Sequence, residues 1–224
     1  MSCHSGVEPP VDDNTGPLIP LAVGNYWVYQ EYDLNSDGSI RSANQYIRGY
    51  KITDTLSVNL DGTKQKTFRC NRCDSSTSWT SFDGRLLYNG NDGTYYAGVT
   101  DRDSVSTLFN DLMFKYPTNK GHETAARTFY YNIFCNFDNV PDSVITTYTC
   151  VSTDSLFSTP FGDFKCVVYK LKLMLDDYFY LGDVYYFFKP GLGMVGTIFM
   201  TYSYYSNEHY YFLKDVLIDY NLNK

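Results

Sequence analysis

The sequence predicts an all-β protein: an antiparallel meander forming a curved sheet, a sandwich or a half-open barrel. Two observations carry this. The chain holds 23 tyrosines and 15 phenylalanines in 224 residues, mostly in short alternating runs such as Tyr178-Phe179-Tyr180, Tyr185-Tyr186-Phe187-Phe188 and Tyr210-Tyr211-Phe212. Aromatic side chains fit a pleated, half-buried surface and lose rotamer freedom in helices. Turn signals also recur at intervals of about 10 to 20 residues, the spacing of a sandwich or barrel.

Each element follows from its local pattern. Residues 25–33 alternate and carry Trp27 and Tyr29, and Asp37-Gly38 then signals a hairpin. One long strand or two are expected over 40–58, with a turn at Asn59-Leu60-Asp61-Gly62 and a strand over 63–70. Strands over 78–82 and 85–88 are separated by Asp83-Gly84, and Asn89-Gly90-Asn91-Asp92-Gly93 turns into a strand over 94–99. One short helix is expected near 104–114. There Leu108 and Leu112, and beside them Phe109 and Met113, recur at i and i+4, with Asp103 or Ser104 as N-cap. Strands resume over 128–134, 143–151, 164–175, 178–189, 194–205 and 209–220. In 165–175, Val167, Tyr169, Leu171, Leu173 and Leu175 form a dry face, and Cys166, Val168, Lys170, Lys172 and Met174 a mixed one. In 178–188 both faces are apolar or aromatic, as in a strand covered on both sides.

Residues 1–17 read MSCHSGVEPPVDDNTGP, without apolar periodicity. Such a segment cannot bury enough surface to offset its ordering entropy, so it is expected to be a flexible tether, with residues 18–224 as a single β domain. A bacterial lipoprotein carries a small residue before the cysteine that becomes lipidated and a flexible spacer after it, as in Ser2-Cys3 and the polar stretch that follows, so Cys3 is the expected lipid anchor.

Three segments resemble a group of bacterial lipoproteins of unknown function, frequent in Bacteroidetes. Pro20-Leu21-Ala22-Val23-Gly24-Asn25-Tyr26-Trp27-Val28-Tyr29 is similar to their opening PLxxGNxWxY strand. Thr159-Pro160-Phe161-Gly162-Asp163-Phe164 is similar to a TPxGxF turn, and Pro190-Gly191-Leu192-Gly193-Met194-Val195 to a PGxGxV hairpin. The resemblance implies a bacterial outer-membrane or cell-surface protein, periplasmic or extracellular, held to the membrane through Cys3. It supplies no catalytic residue. Within the chain, Pro20-x3-Gly24 and Pro117-x3-Gly121 read as two copies of one turn that launches an aromatic strand, hinting at two related halves meeting near residue 115.

Chemistry-bearing motifs are few. Asp33-x-Asn35-x-Asp37-Gly38 matches the first half of a calcium loop, but Asn44 stands where the bidentate Glu is needed, so a hairpin tip fits better. With three histidines, catalytic triads and metallohydrolase sites have little to draw on. No enzyme activity, cofactor or resident metal is expected. The formal charge of −7 and scattered Lys and Arg speak against nucleic acid. The cysteines suit an oxidising compartment. Cys70 with Cys73, and Cys135 with Cys150, are the candidate disulfides, which leaves Cys166 as a buried thiol.

Two functions remain. One is a non-catalytic interaction or structural module meeting a protein or glycan partner at exposed Tyr and Asp edges. The other is a carrier that encloses an apolar ligand within the curved sheet or barrel.

Overall fold

A computed structural model describes residues 16–73, 83–101, 104–130, 142–174, 180–202 and 209–223. Twelve strands follow one another: β1 (Tyr26–Leu34), β2 (Ile40–Leu60), β3 (Thr63–Cys73), β4 (Asp83–Gly90), β5 (Gly93–Asp101), β6 (Ser104–Lys115), β7 (Glu123–Tyr130), β8 (Asp142–Thr159), β9 (Gly162–Met174), β10 (Tyr180–Lys189), β11 (Gly193–Tyr202) and β12 (His209–Asn221). All neighbours pair antiparallel in one sheet, ordered β6-β5-β4-β3-β2-β1-β12-β11-β10-β9-β8-β7. The sheet curls almost into a closed barrel. Its one unsealed seam lies between β6 and β7, bridged by the Thr124 hydroxyl donating to the Met113 carbonyl at 2.7 Å.

The expected helix near 104–114 is a strand, β6. A spacing of four is a multiple of two, so Phe109 and Met113 share one strand face as readily as one helix face. Both are buried in the barrel core. Val105 and Thr107, β-branched, add strand preference. Asp83-Gly84 is likewise no turn: both residues pair within β4, Gly84 with Asn71 and Thr100. The expected strand over 78–82 lies outside the described residues.

The two copies of the Pro-x3-Gly turn make the same hydrogen bonds. The Gly24 N–H donates to Ile52 O (2.8 Å), Asn25 N–H to Ala22 O (3.0 Å), and Ile52 N–H back to Asn25 O (2.9 Å). In the second copy Gly121 N–H donates to Cys150 O (2.7 Å), His122 N–H to Asn119 O (3.1 Å), and Cys150 N–H back to His122 O (2.8 Å). Gly24 and Gly121 have φ of +93° and +87°, a conformation costly for any residue with a Cβ. From these anchors the equivalence runs strand by strand. Ile52 pairs with Cys70, Cys70 with Arg85, and Arg85 with Val99. Cys150 pairs with Tyr169, Tyr169 with Tyr186, and Tyr186 with Thr197. A bulge follows Ile52 in β2 and Cys150 in β8. The barrel is therefore two six-stranded halves, β1–β6 and β7–β12, of one plan.

Each half also folds a hairpin back over its own outer face. In the first, Val58 and Leu60 cover Leu86 and Ala97, and Asn110 Nδ2 donates to Asp61 Oδ2 at 3.1 Å. In the second, the Phe157 ring lies 4.5 Å from that of Phe187, under the Lys214 ammonium at 4.8 Å. Gly196 leaves the space, since a Cβ there would sit 2.3 Å from the Phe157 ring. This is why β10 reads as covered on both sides, with Phe188 facing inward and Phe187 outward. It also explains why Cys166 and Val168, on the mixed face of β9, are buried.

Antiparallel succession sends alternate connections to opposite ends. At one end lie the turns at 91–92 and 190–192, crossed by residues 16–25, and from this end the β2–β3 and β8–β9 hairpins bend out over the barrel's outer faces. Gly191 N–H donates to Pro17 O (2.8 Å), Asn89 Nδ2 to Ile19 O (2.8 Å), and Asn25 Nδ2 to Pro20 O (2.7 Å). Leu18 is 2% exposed and packs with Phe188 and Phe114, so this end is floored. At the other end the β1–β2 turn is described, and the connections between β3 and β4, β5 and β6, β7 and β8, β9 and β10, and β11 and β12 lie outside the described residues.

Candidate functional site

Alternation and cross-strand pairing fix which side chains face inward. On β1 these are Trp27, Tyr29 and Glu31, all buried in an alternating pattern. Trp27 pairs with Tyr50, Tyr29 with Arg48, and Glu31 with Asp215, which carries the inward face to β2 and β12. On β4 the inward residues are Arg85 and Leu87, Leu87 joining the barrel core while Leu86 packs beneath the outer hairpin.

Near the floor this interior is filled. The Trp27 Nε1–H donates to Leu192 O at 2.6 Å and the Tyr29 hydroxyl to Met194 O at 2.8 Å. Phe114 plugs the seam side, its ring 5.0 Å from Tyr148, 5.0 Å from Tyr169 and 4.7 Å from Phe188. The Tyr169 hydroxyl donates to the Lys115 carbonyl, tying β9 to the end of β6.

Arg85 sits differently. Its register opposite Cys70 and Val99 turns it into the barrel, where it feels the phenols of Tyr96, Tyr50, Tyr186 and Tyr148, yet the residue remains exposed to solvent. An inward-facing residue that stays exposed marks where solvent enters the half-open barrel. Tyr148 and Tyr186 belong to the other half of the barrel, so they meet Arg85 across this space. Burial pulls the guanidinium down, and the four phenols, once ionised at high pH, raise it above the ordinary arginine value, so it stays charged throughout. Among the described residues no carboxylate pairs with Arg85. Glu31 and Asp215, the interior acids, are held by Arg48 instead: its guanidinium pairs with Glu31, and with Asp215 at 3.7 Å. Thr197 also donates to Asp215 at 2.8 Å.

Cys70, paired with Arg85 in register, lines the same space. Its thiol is pushed up to about 11, by burial first, with the Arg85 charge opposing. It is a free thiol, as are Cys150 and Cys166. The expected Cys70–Cys73 disulfide does not form. The two lie three residues apart on one strand, about 10 Å from Cα to Cα and on opposite faces, beyond the roughly 7 Å a disulfide spans. Cys150 is buried and unbridged, and its expected partner Cys135 lies outside the described residues.

The calcium-like motif is a hairpin tip. Asp37 accepts from the Ser39 hydroxyl (2.6 Å) and N–H (2.9 Å), which lower its pKa. Asn35 donates to Ser39 Oγ (2.9 Å), and Asp33 pairs with Arg41 at 3.3 Å. Among the described residues no three His, Cys, Asp or Glu side chains gather as metal ligands. Cys3 lies outside the described residues.

Sequence reasoning missed Arg85. It lies in an expected strand, but Leu86 and Leu87 are both apolar, so the pattern does not say which side faces inward. Leu86 is apolar only because a hairpin covers it, and that is a tertiary fact.

No protein-family profile matches the chain, and no curated protein matches it. Two solved structures are similar. One is a protein of Bacteroides fragilis held to be exported and to have a YmcC-like fold, with TM-score 0.46, 15% identity, and coverage of 93% of this chain and 100% of that one. The other is a protein of Parabacteroides distasonis held to be a lipoprotein, with TM-score 0.40, 14% identity, and coverage of 92% and 99%. At these values neither likeness carries ligand or activity over to this chain.

Proposed function

We propose that the protein is a non-catalytic cell-envelope lipoprotein, tethered through Cys3 and the polar segment that follows it, that takes a ligand into its half-open barrel. The observation behind this is Arg85: an inward-facing, solvent-exposed cation with no carboxylate partner among the described residues. A fold that needed only a packed core would place an apolar side chain there, as it does at Val99 beside it. The phenols and guanidinium around the space suit a ligand with polar groups better than the purely apolar one the sequence suggested. The floor of residues 16–25 leaves entry to the opposite end.

The full chain titrated with N-phenyl-1-naphthylamine, an uncharged dye that brightens in apolar surroundings, tests this reading. Saturable binding of one dye per chain is expected, lost after a bulky maleimide is placed on Cys70. Absence of saturable binding, or binding indifferent to the Cys70 adduct, would return the choice to a module acting through its outer surface.

A further inference from the structure

We propose that Arg85 makes the barrel interior an oxyanion receptor, whose ligand carries a carboxylate, phosphate or sulfonate group on a flat aromatic or sugar ring. This rests on the reading of the barrel as a ligand-binding interior. A guanidinium presents five N–H donors in a rigid planar fork that matches an oxyanion in bidentate fashion. Among the described residues no carboxylate takes those donors, because Arg48 holds the interior carboxylates Glu31 and Asp215. A ligand oxyanion would meet a cation turned into the barrel, where the surrounding walls screen it less than an outer surface would.

The surrounding phenols supply the second half of recognition. Tyr50 and Tyr148 occupy equivalent positions in the two halves, paired with Trp27 and Thr124 respectively. Tyr186 is the counterpart of Arg85 itself, since each pairs with the third and fifth strand of its half in the same register. Two related halves therefore meet around one space, with aromatic rings contributed by both. At one position the symmetry is broken: a cation in the first half faces a phenol in the second. That asymmetry gives a bound molecule a charged end and a ring face. The chain as a whole is acidic, with 25 Asp and Glu against 18 Lys and Arg, so attraction for an anion is local to this wall.

The test compares two dyes that differ by one sulfonate: N-phenyl-1-naphthylamine and 1-anilinonaphthalene-8-sulfonate. The full chain should bind the sulfonate about 10- to 100-fold more tightly, the range of a charged hydrogen bond. Arg85→Gln should bring the sulfonate down to the level of the neutral dye and leave the neutral dye within about twofold; Arg85→Lys should keep part of the preference. On the unaltered protein, inorganic phosphate or acetate should displace the sulfonate dye but not the neutral one, and which of the two does so identifies the oxyanion. If neither dye binds, the ligand-binding interior itself is wrong. If the neutral dye binds and the sulfonate has no advantage, or neither phosphate nor acetate displaces it, the oxyanion inference alone is overturned.

Discussion

The indole of Trp27 lies against the backbone of Gly193, so closely that a Cβ on that glycine would stand 3.0 Å from Nε1. The same ring donates to Leu192 O at 2.6 Å and is 3% exposed. One aromatic side chain thereby pins the first strand to the β10–β11 turn, across the intervening β12.

Two substitutions test this contact from opposite sides. Trp27→Ala should cost about 3–5 kcal/mol by removing a large buried side chain and its hydrogen bond. Gly193→Val should also destabilise, because φ of +100° disfavours any Cβ and the added atoms strike the indole. Chemical denaturation reads both. A Trp27→Ala protein with an unchanged midpoint would mark Trp27 as a surface binding residue instead.

The seam makes a dynamic prediction. β1 and β12 are joined by a full ladder, whereas the equivalent edges β7 and β6 are not paired in the sheet. Amides along the facing edges of β6 and β7 should exchange with deuterium faster than those of the β1–β12 ladder. Thr124→Val should cost about 1 kcal/mol, a typical hydrogen bond, and speed that exchange further. Equal protection at the two edges would show that the barrel is sealed in solution.

Much of the fold is legible in the sequence because it is local. Trp27 and Tyr29, two residues apart, announce an inward face, and Asp61-Gly62 and Pro190-Gly191 announce turns by their own backbone preferences. The paired Pro-x3-Gly turns announce the two halves. Non-local facts stay hidden. The hairpins folded over Leu86 and Phe187 make both faces of β4 and β10 apolar and erase the alternation that would place Arg85 inside. Strand and helix share a spacing of four, which hides β6. The Cys70–Cys73 pairing fails because an extended strand holds residues that are near in sequence apart in space.

The boundary of the tether is sharp enough to test. Deleting residues 2–15 should leave the melting temperature within error, while Leu18→Ala should cost about 2–5 kcal/mol because Leu18 seals the floor. A drop of several degrees on deletion would place part of the tether in the core.

Alkaline pH should limit stability. Burial raises the phenol of Tyr29 well above its ordinary value of 10.0, with Tyr50, Cys70 and Asp215 adding to it. Burial likewise raises Tyr169. It pushes the thiol of Cys70 up to about 11 and that of Cys166 to about 12, against an ordinary 9.0. Each of these groups binds its proton more tightly folded than unfolded. Its stabilising contribution is therefore whole below the unfolded value, near 9 for the thiols and 10 for the phenols. It is lost progressively as the pH climbs towards the folded value. Melting temperature should hold level from about pH 7 to 8.5 and fall steadily above 9. Tyrosinate absorbance at about 295 nm should gain a delayed component that appears only on unfolding. No bridge through Cys70, Cys150 or Cys166 contributes to that stability, since all three are free thiols. Stability that rises between pH 9 and 11 would mean that these protons are not held by the fold.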